Sequence, residues 1–179
     1  MLENAYKYLG LQYAKLQFRM DVDQIQSFSE FMSGSKSALI ALPIGYDEAN
    51  IASNAIRAYR QRLSNLHLTV INSGTRATSL VDFPKCEVIR MIPTDLNRFF
   101  LPTRALLQRV AARQFDVAVD LNLDFVLHTA YICKASRAKV RVGLARGASD
   151  LFYNVVLNLQ PRRTPREVYE AYAHCLAMF

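Results

Sequence analysis

The chain has 179 residues, of which 51% are hydrophobic, and a formal net charge of +7. It is therefore long enough for one domain with a sizeable core, and it suits an anionic partner: nucleic acid, a phosphorylated or carboxylated substrate, or an acidic membrane surface. Its three cysteines, Cys86, Cys133 and Cys175, form no C-x-x-C pair, and no run approaches the roughly 18 apolar residues of a membrane span, so we expect a soluble, unexported cytoplasmic protein with reduced thiols.

Residues 1–33 predict an amphipathic helical segment ahead of the main domain. Apolar side chains recur there at alternating spacings of four and three, with Gly10 as a weak point: Leu2, Tyr6, Leu9, Tyr13, Leu16 and Met20. Such a stripe packs a helix onto the body of a domain, forms a dimer seam or, with Lys7, Lys15 and Arg19 beside it, lies on a membrane. Gly34-Ser35-Lys36-Ser37 then predicts a linker, and we reject its likeness to a P-loop because a strand follows it and no earlier glycine is present.

Residues 38–179 alternate short apolar runs with helical stripes, the pattern of βαβ units. The predicted class is therefore α/β, a single Rossmann-like parallel sheet with helices on both faces. We predict strands at Ala38–Ile44, His67–Asn72, Glu87–Ile92, Asp116–Asn122 and Lys139–Leu144, and either a strand or a loop at Leu151–Leu157. We predict helices at about Asp47–Leu63, Pro102–Gln114 and Phe125–Ala135, and a last one that follows the capping box Thr164–Glu167.

Candidate ligand-binding residues follow these strands, because open parallel sheets bind ligands beyond the carboxyl ends of their strands, near the point where strand order reverses. The first strand leads into the turn Gly45-Tyr46-Asp47-Glu48. The second leads to Asn72, Ser73 and Gly74, and the fourth to Asp120, Asn122 and Asp124. The turn lacks the Gly-x-Gly-x-x-Gly fingerprint, and it places two carboxylates where a pyrophosphate would need N–H groups.

The carboxylates at these positions each admit two roles. Asp47 suits the N-cap of the following helix, with Glu48 as a first-turn charge, because free N–H groups stabilise an ionised carboxylate. A carboxylate there can also act as a general base toward a hydroxyl group, and both roles can hold at once. Asp120 suits either the site or a hydrogen bond to a neighbouring loop, and Asp124 suits a helix cap.

The histidines and basic residues give less specific signals. His67, His128 and His174 lie on different predicted elements without metal-ligand spacing, so no metal site is predicted. Basic residues lie around the predicted fifth strand and at the start of the last helix: Lys134, Arg137, Lys139, Arg141, Arg146, Arg162, Arg163 and Arg166. They suit either a solvated face or a clamp for carboxylates or phosphates. They are not interleaved with aromatic residues as in RNA-binding folds, which argues against nucleic acid.

Four stretches stand in the order and spacing of one family's motifs: "ALIALPIGYDEANIASNAIRAYRQRLSNLHLTVI", "CEVIRMI", "FDVAVDLNLD" and "RAKVRVGLAR". The first contains an acidic turn and a helix with the run Ala55-Ile56-Arg57-Ala58-Tyr59. The third matches a Tyr-Asp-x-x-Ile-Asp-Leu-x-Gly strand from Phe115 to Leu121, and the fourth matches an Arg-x-Gly strand at Arg141–Gly143. From about Ser37 to Phe179 the chain thus resembles the N-terminal half of glycosyltransferase family nine, the ADP-heptose:lipopolysaccharide heptosyltransferases.

This resemblance implies an enzyme of two Rossmann-like domains in the GT-B arrangement, with the active site between them. The second domain holds most of the nucleotide-sugar donor, such as ADP-heptose. In the family an aspartate of the turn is the proposed base of an inverting transfer, and counting back from the Ala55–Tyr59 run places Glu48 there, with Asp47 beside it. The implied acceptor-binding residues are Gly45, Tyr46, Asp120, Asn122, Arg141 and Arg146. Leu123 replaces a family glycine, and Val126 and Leu127 replace polar acceptor contacts.

Two functions follow from these observations. One is the acceptor-binding half of an inverting heptosyltransferase-type enzyme, which acts on an anionic glycan or a lipid-linked acceptor together with a donor-binding domain. The other is a non-catalytic binding or assembly module for an anionic glycan, a membrane surface or a partner protein, which includes a homodimer. We expect the chain to be either a fragment or a single-domain relative, because it stops where the inter-domain link should begin. We expect a cytoplasmic location, either free or peripheral at the inner face of the membrane.

Overall fold

A six-stranded sheet forms the centre of the molecule. The computed structural model describes residues 2–21, 35–58, 66–73, 85–159 and 164–176. Its strands are β1 (Ser37–Ala41), β2 (His67–Asn72), β3 (Cys86–Arg90), β4 (Val117–Asp120), β5 (Val140–Leu144) and β6 (Val155–Leu157). They lie in the order β3-β2-β1-β4-β5-β6, and every neighbouring pair is parallel. This arrangement confirms the predicted α/β class and the single Rossmann-like sheet.

Helices cover both faces of the sheet. They are α1 (Leu2–Gln17), α2 (Tyr46–Ala58), α3 (Arg104–Ala111), α4 (Leu127–Ala135), α5 (Ser149–Phe152) and α6 (Pro165–Leu176). Helices α2 and α6 pack on one face, and α1, α3, α4 and α5 contribute to the core on the other face. Because both faces are covered, β4 and β5 are buried along their whole length, as expected for continuous apolar strands in a parallel sheet.

Several predicted boundaries move for local reasons. Strand β1 ends at Ala41 rather than Ile44, and Pro43 has no N–H group with which to continue the ladder. The segment Leu151–Leu157, predicted as either a strand or a loop, begins with the last residues of α5 and ends with strand β6. Because β6 pairs with β5, the prediction of a strand is correct for Val155–Leu157. The capping box is confirmed, because Glu167 Oε2 accepts from Thr164 N at 2.7 Å and Thr164 Oγ1 accepts from Glu167 N at 3.4 Å.

Helix α1 packs on the body of the domain, but not through its apolar stripe. Its buried residues are Gly10 and Ala14, and Phe18 just beyond its end contacts the ring of Tyr131 in α4. A Cβ atom at Gly10 would collide with the carbonyl oxygen of Phe99, so glycine is required for this close approach. The Tyr131 hydroxyl donates to Gln17 Oε1 at 2.6 Å. The predicted packing is thus confirmed, whereas the predicted packing face is wrong.

The six stripe residues are exposed instead: Leu2, Tyr6, Leu9, Tyr13, Leu16 and Met20. Exposed fractions of 70% for Leu16 and 85% for Met20 show how little the body covers this side of α1. Several predicted features lie outside the described residues, namely Gly34 of the linker, the part of the predicted Asp47–Leu63 helix after residue 58, Gly74, Arg162, Arg163 and the last three residues.

Candidate functional site

The strand order reverses between β1 and β4, and the residues that follow these two strands meet there. From β1 the chain adds β2 and β3 on one side, and from β4 it adds β5 and β6 on the other. Ala41 and Asp120 are paired at the carboxyl ends of the two strands. Just beyond them, the backbone N–H of Ile44 donates to Asn122 Oδ1 at 3.2 Å. The structure therefore brings the acidic turn together with Asp120 and Asn122, at the place where sheets of this kind bind ligands.

The turn itself is open to solvent, and it carries both carboxylates into the first turn of a helix. Helix α2 begins at Tyr46, so Asp47 and Glu48 are first-turn residues, and the interpretation of Asp47 as the N-cap is wrong. Gly45, Tyr46 and Asp47 are exposed, whereas Glu48 is half-buried. A Cβ atom at Gly45 would lie 3.7 Å from Glu48 Oε2, so the Glu48 carboxylate folds back over the turn. The carboxylate thus lies at the amino end of α2, where the helix dipole is positive.

A chain of buried hydrogen bonds holds this turn from behind. Asp120 Oδ2 accepts from the Tyr153 hydroxyl at 2.7 Å, and Asp120 Oδ1 accepts from Asn122 Nδ2 at 2.7 Å and Asn122 N at 3.0 Å. Asn122 in turn accepts from Ile44 N, and its Nδ2 also donates to Thr129 Oγ1 at 3.2 Å. Asp120 is only 3% exposed. Its carboxylate is thus hydrogen-bonded within the protein, to Asn122 and to Tyr153 in a neighbouring loop. Of the two roles that the sequence allowed for Asp120, this is the hydrogen bond to a neighbouring loop.

Burial determines the protonation of this network. It raises the pKa of the Asp120 carboxyl, and the hydrogen bonds from Tyr153 and Asn122 act in the opposite direction. Burial also raises the pKa of the Tyr153 hydroxyl well above its usual value, and the nearby charge of Asp120 raises it further. Tyr153 therefore keeps its proton and remains a donor to Asp120.

The sequence analysis did not predict a role for Tyr153, but Gly143 is a glycine because the Tyr153 ring lies against it. A Cβ atom at Gly143 in β5 would collide with the Tyr153 ring. Glycine at this position leaves room for the ring to pass the strand and reach Asp120. This is a physical reason for the Arg-x-Gly pattern at Arg141–Gly143.

Tyr169 is a second residue that the sequence analysis missed. It is buried on α6, which packs on α2, and its hydroxyl has no hydrogen-bond partner among the described residues. Burial raises the pKa of Tyr169, and the charges of Glu48 and Asp120 raise it further, so this hydroxyl lies within electrostatic range of both carboxylates. Tyr172, three residues further along α6, is also buried, and this i, i+3 spacing of two tyrosines was the signal in the sequence for a buried face.

Other predicted site residues lie apart from this cluster. Arg141 is buried near the amino end of β5, where its guanidinium donates to the carbonyl oxygens of Phe152 at 2.9 Å and Ala138 at 2.8 Å. Arg146 follows the carboxyl end of β5, on the same side of the sheet as the turn, and donates to Ala145 O at 3.0 Å. The structure therefore brings Arg146 but not Arg141 to the strand ends.

The remaining candidates are placed as follows. Asn72 is buried at the end of β2. Asp124 is exposed and does not cap α4, because the residue at the N-cap position is Val126, without a side-chain cap. His67 and His174 are exposed, and His128 is buried. Within the part of the chain that the structure describes, no group of His, Cys, Asp and Glu side chains could hold a metal ion, and Cys86 and Cys133 are free thiols.

The strand order and the helices on both faces of the sheet define a Rossmann-like α/β domain. Among solved structures, the chain is similar to a family 9 glycosyl transferase from Veillonella parvula, with a TM-score of 0.62 and 14% identity over 80% of this chain and 42% of that one. It is also similar to the E. coli heptosyltransferase WaaC with ADP, with a TM-score of 0.60 and 14% identity over 78% of this chain and 46% of that one.

These likenesses show a heptosyltransferase-like fold, and the chain spans less than half the length of either structure. Neither a protein-family model nor a curated protein sequence matches the chain.

Proposed function

We propose that this chain is the acceptor-binding half of an inverting glycosyltransferase of the heptosyltransferase type, active in lipopolysaccharide or related glycan synthesis. The observation that supports it most is the position of Glu48, a carboxylate at the positive end of α2 beside the reversal of strand order, in a fold shared with two glycosyltransferases. The proposal needs a donor-binding domain as a partner, in the same polypeptide or another.

Glu48 is the proposed general base. In an inverting transfer, its carboxylate takes the proton of an acceptor hydroxyl while the hydroxyl oxygen attacks the anomeric carbon of the donor sugar. The bond from that carbon to the nucleoside diphosphate breaks, and the diphosphate leaves with the electron pair. Glu48 suits this role because it is a carboxylate in the first turn of α2 and the open turn admits a substrate. Asp47 lies beside it and is exposed.

The other residues of the site have supporting roles in the proposal. The Asp120–Asn122 pair holds the turn at Ile44 N and so fixes the direction of the Glu48 carboxylate. Gly45 and Tyr46 border the acceptor, and Arg146 attracts its anionic groups. An acceptor of this class is an anionic glycan, free or linked to lipid, and a lipid-linked one would place the protein at the inner face of a membrane. The donor is a nucleotide sugar such as ADP-heptose.

The test is a transfer assay on the protein in its full native reading frame, with ADP-heptose and other nucleotide sugars. We expect Glu48→Gln to lower kcat by about 10²–10⁴-fold, because a positioned base contributes that much. Asp47→Asn is the matched control, since it removes a neighbouring carboxylate in the same helical turn, and we expect it to retain activity within about tenfold. Equal activity of Glu48→Gln and the parent would refute the role of Glu48.

Binding separates the two candidate functions. In a ¹H–¹⁵N NMR titration with a phosphorylated oligosaccharide acceptor, we expect shifts at the amides of residues 44–48 in both the parent and Glu48→Gln. Binding without transfer by any form of the protein would favour the non-catalytic module. Neither binding nor transfer would reject the site as an acceptor site.

A further inference from the structure

The outer side of α1 is an apolar surface that the domain leaves uncovered. It consists of the six stripe residues, defined here as the α1 stripe: Leu2, Tyr6, Leu9, Tyr13, Leu16 and Met20. Their exposed fractions range from 37% for Tyr6 to 85% for Met20. Scattered apolar residues are common on protein surfaces, but a contiguous row along a whole helix marks a surface that meets an apolar partner.

A groove continues this surface onto the body of the domain. Its volume is about 640 Å³, and its walls include Leu9 and Tyr13 from the α1 stripe and Leu101 and Leu107 from the α3 region. Phe99 also lines the groove, and its ring contacts that of Tyr6 at a centroid distance of 5.9 Å. The groove is therefore part of the same apolar surface, and its size suits an apolar chain.

Cations surround this surface. Lys15 and Arg19 are exposed on α1 and just beyond it, and Arg104, which lines the groove, is exposed on α3. Arg98 lies over the Phe99 ring at 4.8 Å. Residues 2–21 contain only two carboxylates, of which Glu3 pairs with Lys7 at 2.7 Å and Asp21 lies at the end of the segment. The rim of the surface is therefore positive.

From this geometry we infer that the α1 stripe and its groove dock on a lipid bilayer that contains anionic headgroups. Leucine and methionine side chains insert at the level of the acyl chains, while tyrosine hydroxyls stay at the water interface. Lys15, Arg19 and Arg104 attract the headgroup phosphates. No helix among the described residues has the length and apolar character to cross a membrane, so α1 lies along the surface.

The charges favour a bilayer over a second copy of the chain. A symmetric dimer through the α1 stripe would bring the same cations of both copies to one interface, and residues 2–21 offer few carboxylates to balance them. An anionic bilayer supplies the opposite charge. This inference concerns the face of α1 and does not depend on the role of Glu48.

Vesicle flotation of the full chain tests it, with phosphatidylcholine vesicles that contain or lack phosphatidylglycerol. The test variant is Leu9→Ser with Leu16→Ser, and the matched control is Val88→Ser with Ile92→Ser, which removes exposed apolar side chains from β3 and the residues after it. We expect the parent to bind vesicles with phosphatidylglycerol and to dissociate as salt increases. We expect the test variant to bind at least about tenfold more weakly, because two leucines no longer insert, while the control binds like the parent.

Circular dichroism and light scattering complete the experiment. Each variant must show the helical spectrum of the parent, and Lys15→Gln with Arg19→Gln, two exposed positions, gives a second test of the same surface if a serine variant does not fold. Absence of vesicle binding by the parent overturns the inference, as does equal binding by the parent and the test variant. A parent that is dimeric in solution and becomes monomeric in the test variant also overturns it, in favour of a second copy.

Discussion

At the scale of single residues, Asp120 and Tyr153 show how a buried carboxylate can support a turn that carries another, half-buried carboxylate, Glu48. Asp120 is enclosed and accepts three hydrogen bonds, from Tyr153 and from two groups of Asn122. Through Asn122 it reaches the backbone at Ile44, next to the turn that carries Glu48. The sequence placed Asp120 at a strand end, but only the structure shows that its partners lie behind it.

Replacing Tyr153 with phenylalanine tests this network. The Tyr153→Phe protein lacks one donor to a buried carboxylate, and we expect its free energy of unfolding to fall by about 1–3 kcal/mol. Urea unfolding measures this change. The control is Tyr46→Phe, because the Tyr46 side chain is 54% exposed and we expect a change within about 0.5 kcal/mol. Equal stability of the two variants would show that the Tyr153 hydroxyl bond adds nothing.

His128 makes the stability depend on pH. Burial, and to a lesser extent the charge of Lys7 on α1, lower the pKa of His128 to about 4. An unfolded histidine has a pKa of about 6.5, so the unfolded chain binds the proton more readily than the folded one. The contribution of His128 is therefore complete above pH 6.5 and is lost as pH falls toward 4, by about 3 kcal/mol in total.

Urea unfolding of the parent and of His128→Gln at several pH values measures this effect. We expect the difference in unfolding free energy between the two proteins to shrink from pH 7 to pH 4. Asp120 has a raised pKa and contributes the opposite slope, but it does so in both proteins and cancels in the difference. A difference that stays constant over this range would show that His128 does not titrate as the structure indicates.

At the scale of elements, α1 shows the limit of reading a helix from its apolar spacing. The spacing correctly predicted a helix, because it follows the period of one helical face. It did not predict which face packs, because Gly10 and Ala14 meet the body through their small size and contribute little apolar area. A glycine and an alanine four residues apart are a weak signal in the sequence, whereas six large apolar residues are a strong one.

Gly10→Ala separates helix propensity from packing. Alanine favours an isolated helix over glycine by about 1 kcal/mol, yet its Cβ would collide with Phe99 O in the docked helix. We expect the variant to release α1 and to expose α4, so that hydrogen exchange in both helices becomes faster. Tyr8→Ala is the control, because Tyr8 is 61% exposed and its loss should leave exchange unchanged. Unaltered protection in Gly10→Ala would contradict the packing described for α1.

At the scale of the whole molecule, the order of the strands assembles the candidate site. The hydrogen bond between Ile44 and Asn122 joins residues 78 positions apart, and that between Tyr153 and Asp120 joins residues 33 apart. The first depends on β4 lying beside β1, and the second depends on β4 lying beside β5. The chain is similar in fold to two glycosyltransferase structures and spans less than half the length of either.

The sequence by itself determined the α/β class, five of the six strands with small shifts in their boundaries, and the acidic turn after the first strand. These features are local, because residues close together in the sequence determine which faces of an element are apolar and which turn follows it. Only the tertiary structure decided that the Tyr153 hydroxyl reaches Asp120, that Arg141 lies away from the strand ends and that the α1 stripe faces solvent. Each of these depends on which surfaces meet across the fold, and residue spacing along the chain does not carry that information.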